Sequence, residues 1–284
     1  MSVDGEIKLL RPLSFQPSVE VWAARMGRRQ VVVRRYLPLP PESPWPPPPD
    51  PQVLALVRHP RLARFLHQFR DDDGVDCHVF SLAGGKTLRE VLKTGPLTRD
   101  SWFQVVLDCA GGLDWLHRRC SGAPRLHGDV SQGNILLTPA NRAIWLDVRA
   151  EPVCLIPPPG LLLVGTLPYF ATEVLEGEPS TPASEVFSLG LVAMSAATGP
   201  LPWRSASSPA KVLECHAGGA ILRLASNAPA GISTVLAAML DPSPASRPTA
   251  GEVASLIRGA RPKGGRPRPQ DAASFTRTAP GDIF

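Results

Sequence analysis

Hydrophobic and polar positions change rhythm once along the chain, near Gly84-Gly85. Ahead of that point, short β-branched and aromatic runs are separated by glycine and charge. Val19-Glu20-Val21-Trp22-Ala23 and Gln30-Val31-Val32-Val33-Arg34 are of this kind, with Gly27 between them, and residues 6–37 read as strands. Nine prolines then fall within the fourteen residues 38–51. Such a run forms neither helix nor central strand and predicts an exposed polyproline II loop. Asp50-Pro51 pairs an N-cap residue with proline at the first helical position, so a short helix is expected over residues 52–58. Residues 62–69 and 76–82, on either side of Asp71-Asp72-Asp73-Gly74, predict a β-hairpin.

Beyond Gly84-Gly85 the period becomes helical. Trp102, Val105, Val106, Cys109, Leu113 and Leu116 space out one face of a helix over residues 99–118. Two apolar runs, Ile135-Leu136-Leu137 and Ala143-Ile144-Trp145-Leu146, predict a second hairpin. Further helices are expected at residues 87–92, 171–175, 185–197, 209–216, 232–240 and 250–257. The one at 185–197 is so apolar that it belongs in the core. From about residue 259 periodicity stops, and a disordered basic tail is expected. The pattern predicts an α+β protein of two lobes: a small β-rich N-lobe at 1–83, a helical C-lobe at 84–258, and a tail at 259–284.

Composition narrows the function classes. The hydrophobic fraction of 43% supports a sizeable core. Of the net charge of +5, +3 sits in the last 26 residues, which hold five Arg or Lys and two Asp. The folded part is nearly neutral, so no nucleic-acid partner is expected. No apolar run approaches a membrane span and no signal peptide opens the chain, which points to the cytoplasm. The five cysteines, Cys77, Cys109, Cys120, Cys154 and Cys215, show no metal-ligand spacing and read as reduced thiols.

Candidate chemistry concentrates in His127-Gly128-Asp129-Val130-Ser131-Gln132-Gly133-Asn134, a polar loop ahead of the second hairpin. That hairpin brings Asp129, Asn134 and Asp147 to one rim. An Asp, an Asn and a second Asp supply a base and two hard oxygen ligands for Mg²⁺. Other motifs follow in order. Arg58-His59-Pro60 precedes the loop. After it come Leu146-Asp147-Val148-Arg149, then the run from Gly165-Thr166 to Ala171-Thr172-Glu173, then Glu185-Val186-Phe187-Ser188-Leu189-Gly190, and finally Asp241-Pro242 to Arg247-Pro248-Thr249.

Over residues 8–258 this series resembles the eukaryotic-type serine/threonine protein-kinase family. The resemblance implies ATP and Mg²⁺ as cofactors and a protein as substrate or partner. It makes Asp129 the residue that orients a hydroxyl, with Thr166 steadying it, and Asn134 and Asp147 the metal ligands. Val32, Phe80, Ser81 and Ala83 fall at the adenine site, and Arg34 at the phosphates. Glu173 and Arg247 become a structural ion pair.

The departures concern the nucleotide. The three phosphate-loop glycines fall at Ser14, Gln16 and Val19, so no tight phosphate-covering loop is expected. The phosphate-anchoring lysine is replaced by Arg34, or by Arg35 in a shifted register, and its carboxylate partner falls at Asp50, which is also the N-cap. Lys8 is the only lysine ahead of Lys86. The catalytic-loop arginine and lysine of the family are here Gly128 and Ser131, and the glycine after the metal-binding Asp is Arg149. Residues 148–164 contain no Ser, Thr or Tyr, so phosphorylation of that segment is not expected. The sequence therefore reads as a pseudokinase or weak kinase that signals through protein binding. An active serine/threonine kinase using Arg34 is the first alternative. A small-molecule phosphotransferase of the aminoglycoside or choline kinase type is the second.

Overall fold

Strand propensity and turn chemistry build the first lobe. The computed structural model describes residues 7–40, 47–119, 124–152 and 166–260. Strands β1 (Ile7–Gln16), β2 (Val19–Met26) and β3 (Arg29–Tyr36) join through two-residue turns. A proline segment leads to helix α1 (Pro51–Leu56), and β4 (Phe65–Arg70) and β5 (Asp76–Ser81) complete an antiparallel sheet of order β1-β2-β3-β5-β4. Strand residues alternate between faces. Ala24, Val31, Val33, Cys77 and Val79 are buried on one face, with Trp22, Leu66 and Phe69 packed against them. Val32, Arg34, Tyr36, His78 and Phe80 occupy the other face, which looks toward the helical lobe.

The N-cap of α1 is Asp50, whose side chain accepts from the Gln52 N–H at 2.8 Å. The helix stops at Leu56, short of the expected 58, and Val57 is extended. Pro60 lies close behind and disfavours helical backbone in the residue before it. The strand expected from residue 62 begins at Phe65. The missing residues have another partner: the Trp145 N–H donates to Arg61 O at 2.8 Å, and the Ala63 N–H to Trp145 O at 2.8 Å. This short zipper ties the sheet to the second lobe.

The helical lobe begins with β6 (Lys86–Thr87) and the single turn α2 (Leu88–Val91), closed by a capping box between Thr87 and Glu90. Helix α3 (Arg99–Arg119) follows, then β7 (Arg125–Leu126), and the hairpin of β8 (Ile135–Leu137) and β9 (Ala143–Trp145). A two-residue strand, β10 (Glu151–Pro152), pairs with β7. Helices α4 (Thr172–Leu175), α5 (Pro182–Thr198), α6 (Pro209–Ala217), α7 (Ala220–Ser226), α8 (Ile232–Met239) and α9 (Ala250–Ala260) complete the described chain.

Helix α5 starts three residues ahead of expectation because Thr181 and Ser184 form a capping box with Pro182 at its first turn. Every residue from Ser184 to Ala196 is buried, so α5 is the axis of the lobe. Trp102 of α3 donates its indole N–H to Ala193 O at 2.7 Å. Trp145, fully buried, donates to Cys109 O at 3.0 Å and lies against Gly112, where a methyl group would stand 2.7 Å from the indole. Helix α7 was not expected, since Gly218-Gly219 ahead of it reads as a loop. Helix α9 runs to Ala260, past the expected tail boundary. Residues 261–284, the proline-run residues 41–46, and most of the expected phosphosite-free segment 148–164 lie outside the described residues.

At the base of this lobe Glu173 meets Arg247. The guanidinium holds both carboxylate oxygens, at 2.5 and 3.0 Å, and lies over the Phe187 ring at 4.5 Å. Its side chain is fully buried, and its Nε donates to Asp241 O at 2.8 Å. Truncating one partner of a buried pair leaves an uncompensated charge, which typically costs about 3–5 kcal/mol. Arg247→Ala is therefore expected to lower stability by that order in urea unfolding, and Arg247→Lys to recover only part of it because lysine lacks the planar fork.

Candidate functional site

A short turn fixes the loop that carries the chemistry. Gly128 has φ +91°, a left-handed conformation that favours glycine. The Gly128 N–H donates to Glu185 Oε1 at 2.9 Å, while Glu185 Oε2 is 2.9 Å from His117 Nε2. Glu185 comes from the buried axis α5. Burial pushes its carboxyl up, but His117 and the Gly128 N–H outweigh that and hold it below the usual glutamate range. His127 is fully buried beside Trp145, with ring centroids 4.6 Å apart. Its Nε2 lies 2.9 Å from Leu146 O, and the Asp129 N–H donates to its Nδ1 at 3.3 Å. That pattern requires the neutral tautomer with hydrogen on Nε2. Burial depresses its pKa, in keeping with a packing role.

Asp129 is held from two sides. Its Oδ1 accepts from the Thr166 N–H at 3.0 Å and the Thr166 hydroxyl at 2.9 Å. Its Oδ2 accepts from Asn134 Nδ2 at 2.7 Å, and the same amide donates to Asp129 O at 3.0 Å. Burial, and then the charge of Asp147, raise the Asp129 pKa. The three residues expected at the reacting centre thus form one hydrogen-bonded unit.

Asp147 stands at the same rim but is already engaged. Arg34 from β3 forms a two-bond pair with it: Nη1 to Oδ1 at 2.7 Å and Nη2 to Oδ2 at 2.8 Å. Burial works against the Arg34 charge, but Asp147 and Tyr36 raise its pKa overall. His78 lies opposite Arg34 on β5, and burial together with that guanidinium pushes its pKa down to about 4. The imidazole therefore stays neutral and adds no second cation. Asp50, at the position of the expected partner of Arg34, is spent on the α1 cap. Arg35, the alternative in a shifted register, points elsewhere and binds Glu20, Asp71 and Asp73 at 2.6–2.9 Å.

The phosphate side of the cleft has no glycine loop. Ser14, Phe15 and Gln16 are registered against Val21, Glu20 and Val19, and only Pro17 and Ser18 form the turn. Val32 faces Phe80 across β3 and β5, and Phe80 packs edge-on to Phe65 at 5.7 Å. Ser81 bonds Arg64 in both directions: its N–H to Arg64 O at 2.8 Å, and the Arg64 N–H to its hydroxyl at 3.2 Å. Ser81 and Ala83 line a cavity of ≈ 430 Å³ with Leu62, Ala63, Ile144 and Leu146.

Sequence reasoning missed three features. Glu185 was read only as part of a buried helix, although a lone acid in so apolar a run demands a partner. Asp108, on the apolar face of α3, accepts from Arg142 Nε and Nη2 at 2.8 Å each and from the Ala143 N–H at 3.0 Å, and its carboxylate lies 3.2 Å from Arg61 Nε. It thereby fixes the start of β9. The third is the role of Arg149, which stands where the family has glycine between two left-handed residues, Asp147 and Ala150, at φ 53° and 51°. The Arg149 stem packs on Gly128, and its Nη2 donates to Pro47 O at 2.9 Å.

The family described as "Protein kinase domain" matches residues 50–256. Serine/threonine-protein kinase PknA of Mycobacterium tuberculosis is 27% identical over 302 aligned positions, which cover 100% of this chain and 68% of that protein. Serine/threonine-protein kinase 12 of Arabidopsis thaliana is 27% identical over 207 positions, 71% of this chain and 44% of its own length. Dual specificity protein kinase splA of Dictyostelium discoideum is 30% identical over 164 positions, 49% of this chain and 6% of its own length. Among the described residues, no helix is long and apolar enough to cross a membrane.

The Glu185 anchor has a pH signature. A carboxyl whose folded pKa is depressed contributes stability that is present above the unfolded value, about 4.3 for glutamate, and is lost as pH falls through the folded value. Urea midpoints measured across this acid range are expected to fall with pH in the wild type. In Glu185→Gln the midpoint should be lower at neutral pH, and the fall on acidification shallower.

Proposed function

The chain belongs to the protein kinase domain family, and we propose that it works there as a pseudokinase, through protein contacts rather than ATP turnover. The Arg34–Asp147 pair is the observation that carries this reading. Members of the family use Mg²⁺ to neutralise the phosphates during transfer. Here both oxygens of the would-be ligand Asp147 accept from a buried guanidinium, so a divalent ion would have to displace a cation already held by two bonds. Asn134 donates its Nδ2 to Asp129 and leaves Oδ1 as its one metal-capable atom, so without Asp147 it is a lone ligand at this rim. In this arrangement the donor set does not fit Mg²⁺. The laddered β1–β2 hairpin, with Pro17 lacking an N–H, supports the same conclusion for the phosphates.

A second reading, a serine/threonine kinase with turnover, is favoured by one observation. Asp129, Asn134 and Thr166 keep a network able to orient a hydroxyl. The protein-kinase match across the helical lobe and the Glu173–Arg247 pair weigh against the small-molecule phosphotransferase alternative. Signalling through protein partners, and a cytoplasmic location, are part of the proposal.

Phosphoryl transfer depends on positioning and charge neutralisation. Each lost charge-assisted contact is worth on the order of 2–3 kcal/mol, and two such losses slow turnover by roughly three to four powers of ten. Calorimetry with ATP, with and without Mg²⁺, is expected to give weak or no metal-dependent binding, and autophosphorylation should stay near background. Arg34→Lys alone should not restore activity, because positions 14, 16 and 19 remain filled. Robust wild-type turnover abolished by Asp147→Ala would replace this reading with the active-kinase one.

A further inference from the structure

Beside the loop that holds Asp129 lies a small cationic surface. Its centre is Gly133. A methyl group at this position would stand 2.8 Å from Arg89 Nη2 and 3.1 Å from Arg89 Cζ. Glycine is therefore needed here for a close approach, and the guanidinium of α2 lies across the backbone of the catalytic loop. Arg89 is exposed, and so is Lys86 on the adjoining β6. No carboxylate among the described residues forms an ion pair with either of them. The nearest acid in sequence, Glu90, is turned away. Its Oε2 accepts from the Thr87 N–H at 2.7 Å and the Thr87 hydroxyl at 2.8 Å within the capping box. Arg89 also sits close enough to Tyr169, in the loop beyond Thr166, to offset part of the upward push that burial gives the phenol. Arg89 thus lies against the loop that carries Asp129, with Tyr169 within reach of its charge.

We propose that this surface, Arg89 over Gly133 with Lys86 beside it, docks an acidic peptide segment of a partner protein across the mouth of the cleft. Charge complementarity selects the occupant. A planar guanidinium with free N–H edges is suited to bidentate contact with a carboxylate. Two cations are too few for a polynucleotide, which needs a longer row of phosphate contacts. The inference builds on the reading of this domain as one that acts by protein contact, and it names the chemistry of that contact.

The test uses the full chain and two fluorescein-labelled peptides: one with a central Ser flanked on both sides by Glu, and its counterpart with Lys at the Glu positions. Fluorescence anisotropy at low salt is expected to show tighter binding of the Glu peptide, weakened by added salt. An exposed charge contact is worth a factor of a few, so R89E should weaken the Glu peptide at least threefold, and R89E with K86E by roughly tenfold. Gly133→Ala keeps the charge but displaces the guanidinium, and should weaken binding in the same direction. Thermal melts identify any variant that fails to fold, in which case R89E alone decides. Equal binding of both peptides, preference for the Lys peptide, or no binding of either would overturn the proposal. A Glu preference unchanged in R89E would overturn its placement. Calorimetry with Mg²⁺ and ATP on the same wild-type sample reads the pseudokinase proposal separately, so either idea can fail without the other.

Discussion

The loop that carries Asp129 depends on a single buried carboxylate. Glu185 stands on an α-helix buried along almost its whole length, where an unpaired charge would be prohibitive. It is tolerated because His117 from α3 and the Gly128 N–H from the loop converge on its two oxygens. The same contacts fix the loop against the lobe's two main helices. His127 and Asp129 follow directly: the imidazole locks onto Leu146 O, and the aspartate is left facing Thr166 and Asn134. A rigid apolar axis thus sets the geometry of a polar loop through one ion-dipole contact.

In the cleft above that loop the facing charges of Arg34 and Asp147 are paired within the chain. Asp147 would otherwise be an unpaired anion next to Asp129, whose carboxyl its charge already pushes up. Arg34 relieves this by bridging from the sheet with two short bonds. Two lobes are therefore drawn together by a contact internal to the chain. Lysine there would act as a point charge with a shorter reach, whereas the fork of arginine matches both carboxylate oxygens at once. The Trp145 zipper to Arg61 and Ala63 provides a second, uncharged link between the same lobes.

Much of this was legible in the sequence. The order of Asp129, Asn134, Asp147, Glu173 and Arg247 identified which residues would gather at the loop and which at the base of the helical lobe. Apolar periodicity located α3 and the buried α5 because core burial imposes that spacing. What periodicity does not encode is the choice of partner for a long-range charge. Arg34 had a nucleotide and Asp50 as candidate partners, and its actual partner Asp147, expected as a metal ligand, reaches it only when the two lobes close. Asp108 and Glu185 carried a readable signal, an acid on an apolar face, yet their partners lie 34 and 68 residues away and come together only in the fold. Helix α7 escaped notice for a local reason: a Gly-Gly pair ahead of it masks a short helix whose stability comes from packing.

The contact between Arg149 and Gly128 makes two positions answerable to each other. Position 128 combines a left-handed backbone with an arginine stem that would lie 3.1–3.2 Å from any Cβ placed there. A side chain at 128 would therefore be strained by the backbone and would press on the Arg149 stem, while shortening Arg149 would empty the space over Gly128 and release the carbonyl of Pro47. Neither position can drift independently. The conformation of the loop ahead of Asp129 and the course of the chain after Asp147 are thereby tied together at one point of contact.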